Sequence, residues 1–144
     1  MVSKHLIGRK EKVDFPEFGL AGISAKVDTG AYTSALHCSF IRVVGEKLEF
    51  AISHNTDEIR LDRKFTTTNF TSRLIRSSNG KTQQRYVIKT KIKLFGKDYL
   101  TEFSLADRSK MKNPVLLGRK LISGRFIVDV SAKYLSTKNI KHKE

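Results

Sequence analysis

Period-two alternation of apolar and polar residues, cut repeatedly by glycine-containing turns, runs through this chain, and helical periodicity is nearly absent. Such alternation places every second side chain on one face of an extended strand. The chain is therefore restricted to a mostly β architecture, a small barrel or a folded sheet. Ile23, Ala25 and Val27 alternate with Ser24 and Lys26, which predicts a half-buried strand. Residues Tyr32 to Cys38 continue as strand toward Ile41 to Val44, and Gly45-Glu46 predicts a hairpin returning with Leu48, Phe50 and Ile52 facing inward. Ser53 to Thr71 is polar and basic and reads as partly loop, with Ile59, Leu61, Phe65 and Phe70 as scattered anchors. Asn79-Gly80 is a strong hairpin signal between Arg73 to Arg76 and a long strand over Arg85 to Leu94. In that strand Ile88, Ile92 and Leu94 share one face, and Lys89, Lys91 and Lys93 the other. Gly96-Lys97 turns it into a strand over Tyr99 to Leu105. Val115 to Leu117 breaks at Gly118 into a short helix, and Phe126 to Val130 is a last strand. Near the start, Leu6-Ile7-Gly8 precedes a charged patch, and Phe15 to Gly19 reads as a loop.

The strand ending in Val27 runs straight into Asp28-Thr29-Gly30-Ala31. A carboxylate at a strand end, followed by a hydroxyl residue and a glycine, suits a group held by backbone N–H and hydroxyl donors. Aspartic peptidases need that arrangement. An ordinary Asp-x-Gly turn, in which the aspartate bonds its own backbone, accounts for the same tripeptide. His37, Cys38 and His54 are the candidates for a metal site, but neighbouring residues on a strand point to opposite faces. No His-Glu-x-x-His pattern is present.

At 144 residues the chain suits one domain whose core needs no disulfide or metal staple. Lys and Arg number 28 against 14 Asp and Glu, and the resulting charge of +14 is spread along the sequence. Such a field attracts polyanions: nucleic acid, an acidic peptide, or an RNA-rich particle such as the ribosome. Nothing resembles an aromatic stacking platform, because the nine Phe fit core positions. No apolar run reaches membrane-spanning length, and the first residues lack the apolar segment of a secretory signal. The single cysteine, Cys38, leaves no internal disulfide, so a cytoplasmic location is expected.

A strand, Asp28-Thr29-Gly30-Ala31, hairpin pieces, an Asn-Gly hairpin, then Leu116-Leu117-Gly118-Arg119 and a short helix: this order resembles retropepsin-like aspartic proteases. Gly8-Arg9-Lys10, the run from Ala25 to His37, and Val115 to Arg119 are similar to a bacterial family named both ATP-dependent zinc proteases and RimB-type retropepsins. The resemblance covers nearly the whole chain. It implies a closed acid-protease β-barrel over residues 1–132, with the short helix after Leu116-Leu117-Gly118-Arg119. Residues 133–144, with Lys138, Lys141 and Lys143, would form a basic, solvated C-terminal tail. It further implies that the apolar-apolar-Gly strand packs beside the Asp-Thr-Gly loop, glycine being required where backbones approach closely. Two features depart from retroviral members. The stretch from Gly45 to Ser72 is longer, and Tyr32 stands near where those enzymes often carry an acidic partner for the arginine matching Arg119.

One Asp-Thr-Gly per chain makes a symmetric homodimer the economical solution, since a two-fold axis places identical loops face to face. The resemblance implies catalytic roles for Asp28, Thr29 and Gly30, with Thr29 locking the two loops across the axis. Ser77 to Arg85 would be a flap over the substrate. Substrate-binding roles fall to Ala31, to Asn79 and Gly80 in the flap, and to the cations Arg73, Arg76, Lys81 and Arg85 around it, which favour acidic peptides. Arg119 would pair with Asp129 or Glu102, or face an anionic substrate. Neither a metal nor a nucleotide is required. Relatives of this type are linked to trimming glutamate tails of a ribosomal protein, so glutamate-rich tails are the expected substrate. Two other readings stay open: a basic, non-catalytic β-module binding RNA or ribosomes, and a zinc-dependent peptidase using His37 and Cys38.

Overall fold

A computed structural model describes residues 4–55, 60–76, 79–107 and 113–137. The strands are β1 (His5–Gly8), β2 (Lys10–Phe15), β3 (Leu20–Val27), β4 (Ser34–Val44), β5 (Lys47–Asn55), β6 (Arg60–Thr67), β7 (Thr71–Arg76), β8 (Thr82–Leu94), β9 (Lys97–Asp107), β10 (Val115–Leu117) and β11 (Phe126–Asp129). A 3-10 turn spans Pro16–Phe18, and a short helix, α1, spans Arg119–Ile122. Six strands close into a barrel in the order β10-β3-β2-β8-β9-β4, because β10 pairs in parallel with β3 and antiparallel with β4. The expected closed, mostly β barrel with its short helix is therefore the observed fold. β5 and β6 extend the sheet beyond β4, β7 pairs with β8, and β1 and β11 form a separate parallel pair.

The alternation that identified the strands decides which faces close the core. Leu48, Phe50 and Ile52 are fully buried on β5, and Ile88, Ile92 and Leu94 are buried on β8 while Lys89, Lys91 and Lys93 stay exposed. They join Phe15, Ile23, Leu36, Phe103 and Leu117 in one cluster. Phe18, carried by the 3-10 turn, stacks 4.7 Å from the Phe65 ring and 5.9 Å from that of Phe50, so the turn roofs the β5–β6 extension. Glu17 pins the turn to β8, accepting the Lys91 N–H at 2.8 Å and the Thr90 hydroxyl at 2.7 Å. Those two bonds, the Lys91 N–H foremost, hold its carboxyl below the usual range.

Two stretches differ from expectation. Much of the polar segment after Ser53 is strand, because β6 pairs along β5 and needs apolar contact on one face only, supplied by Phe65. Ile59 lies outside the described residues. The charged patch after Gly8 is strand β2, in which Val13 and Phe15 alternate inward with Glu11. Glu11 is fully buried, and its carboxylate accepts four hydrogen bonds: from Gly8 N–H, Leu135 N–H, and both the N–H and hydroxyl of Ser136. The described part of the expected tail is thus tied to the barrel, helped by Tyr134 N–H donating to Lys10 O. Lys138, Lys141 and Lys143 lie outside the described residues. Removing the carboxylate strands three backbone donors, so Glu11→Ala is expected to cost about 2 kcal/mol. The same variant should open the chain near Leu135 to limited proteolysis, and a protection pattern equal to the parent's would contradict the clasp.

Candidate active site

Four backbone contacts build the turn around Asp28. Val27 N–H donates to Arg9 O at 2.9 Å, Asp28 N–H to Leu117 O at 2.9 Å, Arg119 N–H to Ala31 O at 2.8 Å, and Lys120 N–H to Tyr32 O at 2.9 Å. The loop therefore rests on β10 and on the first turn of α1. Gly118 sits where the two backbones cross, and a Cβ there would lie 2.7 Å from Tyr32 O and 2.8 Å from the Thr33 carbonyl carbon. That crossing is what demands glycine, since its φ of −94° is open to any residue. Ser34, buried at the start of β4, accepts the Gly118 N–H through its hydroxyl at 3.0 Å. Sequence reasoning missed Ser34, because its partner stands 84 positions away.

Within the turn, Asp28 Oδ1 accepts the Gly30 N–H at 3.0 Å, and Ala31 N–H donates to Asp28 O at 3.3 Å. The Asx-type bond is the one an ordinary turn makes, so what sets this turn apart is the floor beneath it. Thr29 and Gly30 are exposed, and Asp28 and Ala31 are half-buried. Arg119 donates its NH1 to Thr29 O at 2.9 Å, and its guanidinium lies 5.8 Å over the Tyr32 ring. Its expected acidic partners are engaged elsewhere: Asp129 accepts the Ser131 hydroxyl and N–H, and Glu102 binds Lys120 and Arg73. The tyrosine face and a carbonyl thus hold Arg119.

The hairpin between β7 and β8 carries the remaining candidates. Asn79 Oδ1 accepts the Lys81 N–H at 3.1 Å, and Gly80 has φ of +87°, the left-handed geometry of a tight turn. Ser77 and Ser78 of the expected flap lie outside the described residues. Arg76 is exposed at the end of β7, and Arg85 donates to Gln83 Oε1 at 3.1 Å. Arg73 is cross-strand from Arg85 but turns away toward β9, where it meets Glu102 at 2.6 Å.

His37 and Cys38 are separated as strand neighbours must be. Cys38 is fully buried in the core, where burial, reinforced by the Asp107 carboxylate, pushes its thiol up to about 12. His37 is also buried, with Nδ1 at 3.1 Å from Asn113 O. The side chain of His54 lies outside the described residues. Among the described residues, no three or more His, Cys, Asp or Glu gather as a metal-holding group, nor does any helix there have the length and apolarity to cross a membrane.

Known proteins are similar to this chain in sequence and in fold. The chain is 34% identical over 132 residues to a protein of Desulfotalea psychrophila named "Probable alpha-L-glutamate ligase", covering 89% of the chain and 28% of that protein. A protein of the same name from Shewanella pealeana is 35% identical over 136 residues, covering 92% of the chain and 30% of that protein. The chain thus spans less than a third of the length of these curated relatives. A crystal structure of a Legionella pneumophila protein of unknown function superposes with a TM-score of 0.69 at 25% identity, covering 93% of this chain and 99% of that one. The model of the family described as "RimB-like: Retropepsin-like aspartic endopeptidase RimB" matches residues 6–139. With that match spanning nearly its whole length, the chain belongs to the RimB-like family of retropepsin-like aspartic endopeptidases.

Proposed function

We propose that two copies of this chain assemble about a two-fold axis into an aspartic endopeptidase that hydrolyses glutamate-rich peptide tails. The observation that carries the reading is the Asp28 turn, floored by Leu117 and Gly118 and presenting one carboxylate where the chemistry needs two. Two carboxyls about 3 Å apart cannot both ionise, so they share a proton and titrate as a pair. The ionised member takes a proton from a water that attacks the scissile carbonyl, and the protonated member donates a hydrogen bond to the developing oxyanion. The tetrahedral intermediate then expels the amine, which leaves with a proton from the dyad, and the carbon–nitrogen bond breaks. No metal or nucleotide takes part.

The substrate class follows from charge. The chain carries +14, and Arg76, Lys81 and Arg85 stand with Arg73 on the hairpin expected to close over a bound peptide. Longer proteins with a homologous segment carry the name "Probable alpha-L-glutamate ligase", which supports a substrate built of glutamate. The tail of a ribosomal protein, on a cytoplasmic particle, is the target that the family resemblance implies.

The test compares oligoglutamate with neutral peptides at two salt concentrations. Oligoglutamate should be cleaved preferentially, and the preference should collapse as the screening length falls from about 10 Å at 0.1 M salt to about 3 Å at 1 M. Specific activity should also fall on dilution, in step with dimer dissociation measured by sedimentation. Cleavage indifferent to peptide charge and salt would sink the substrate assignment, and activity strictly proportional to enzyme far below the dissociation constant would sink the dimer. The charge of +14 equally favours a basic β-module that binds RNA or ribosomes without catalysis. An Asp28→Asn protein with full biological activity would establish that reading instead.

A further inference from the structure

Consecutive residues of α1 reach in two directions: Arg119 toward the Asp28 turn, and Lys120 into a separate concavity on the flank of the barrel. This cavity of about 270 Å³ is lined by Lys89 of β8, Leu100 and Glu102 of β9, and Lys120, Leu121 and Arg125 around the helix. A water molecule occupies about 30 Å³ of liquid, so the space admits a group the size of an amino-acid side chain. It lies below the range of drug-sized pockets.

The charges of the cavity are out of balance. Glu102 binds Lys120 Nζ through one oxygen and Arg73 through the other at 2.6 Å, and Lys89 faces it directly across the β8–β9 ladder. Lys120, and after it Arg73, hold its carboxyl below the usual range in spite of partial burial. Arg125 stands at the rim, fixed by NH1 bonds to Lys120 O and Leu121 O at 3.3 and 3.0 Å and stacked over Tyr99. Lys120 and Arg73 thus bind the one carboxylate, and Lys89 and Arg125 bring two further cations to the lining. The exposed Leu100 at the mouth adds an apolar surface suited to the methylenes of a longer acidic side chain.

We infer that this cavity is a subsite for a carboxylate-bearing side chain of an acidic peptide, in which Glu102 is the resident carboxylate that keeps Arg73 and Lys120 in position. The assignment rests on the acidic-peptide reading above and extends it beyond the scissile bond. The link to the Asp28 turn is short and hydrogen-bonded. Lys120 N–H holds Tyr32 O, and Ser34, which also lines the cavity, holds Gly118.

The experiment measures binding rather than turnover. Pentaglutamate and pentaglutamine carrying a fluorophore are titrated by anisotropy against the full chain in an Asp28→Asn background, at 50 mM salt. Lys89→Ala and Lys120→Ala should each weaken pentaglutamate about fivefold, the range of a part-exposed ion pair, and leave pentaglutamine unchanged. Glu102→Gln should tighten pentaglutamate about threefold, because a competing carboxylate is removed. Lys89 lies on β8 rather than on α1, so it covers the case in which Lys120→Ala loosens the helix. Parent-like binding of pentaglutamate by both lysine variants, or equal losses for both peptides, overturns the subsite. If the parent cleaves oligoglutamate and the variants bind like it, the subsite alone fails. If the lysines matter but nothing is cleaved, the subsite stands and the peptidase reading falls.

Discussion

Asp28→Asn is expected to abolish peptide hydrolysis, by about a thousandfold or more, while leaving the fold intact. The asparagine amide cannot share or transfer a proton with its counterpart across the axis, so both the base and the hydrogen-bond donor to the oxyanion are lost at once. Structure should survive, because the turn's own bonds do not require a carboxylate. The backbone N–H of residue 28 still reaches Leu117 O, and an asparagine Oδ1 accepts the Gly30 N–H as the aspartate does at 3.0 Å. The melting temperature should stay within about 2 °C of the parent. A mixing experiment sharpens the expectation. Equal amounts of parent and variant, allowed to exchange, should leave only about a quarter of dimers with two aspartates, and activity should fall accordingly. Activity that merely halves would mean that each chain works alone.

Gly118→Ala should be severely damaging for the addition of a single methyl group. Its Cβ would sit 2.7 Å from Tyr32 O, 2.9 Å from the Tyr32 carbonyl carbon and 2.8 Å from that of Thr33, all backbone atoms with no rotamer to yield. Separating the two loops far enough to admit it stretches the Gly118 bond to Ser34 Oγ, the Arg119 bond to Ala31 O and the Lys120 bond to Tyr32 O. A loss of about 3 kcal/mol and a fall in melting temperature of about 10 °C are expected, together with loss of activity even where the variant remains folded. Ser34→Ala, which removes one hydroxyl from the same junction, should cost about 1 kcal/mol. A Gly118→Ala protein that melts with the parent would show that the crossing is looser than its geometry.

Much of this architecture was legible in the residues, and the reasons for what was not are physical. The strand into Asp28, the Gly45-Glu46 and Asn79-Gly80 hairpins, the two-faced β8 and the break at Gly118 all rest on local chemistry, which sequence displays directly. β2 was hidden because Glu11 occupies an inward position, and most of its hydrogen bonds come from Leu135 and Ser136, 124 and 125 residues away. β6 was hidden because an outer strand with one covered face needs few apolar residues. Arg119 invited a search for an acidic partner, and its actual acceptor is a backbone carbonyl, which every residue possesses. Likewise, Arg73 was read with the hairpin cations, whereas the fold commits it to Glu102 on β9.

The position of β10 bears on when the Asp28 turn can take its shape at all. Arg119 and Thr29 are 90 residues apart, yet β10 must slot between β3 and β4 before the turn has a floor. Contacts spanning that much chain carry a large loop-closure cost and form late in folding. A chain that has assembled everything up to β9 already carries the Asp28 carboxylate, but in a slack loop with no fixed aim. Ordering of the Asp28 turn and closure of the barrel are then a single event, and if the proposed activity holds, a partly folded chain would lack a formed site.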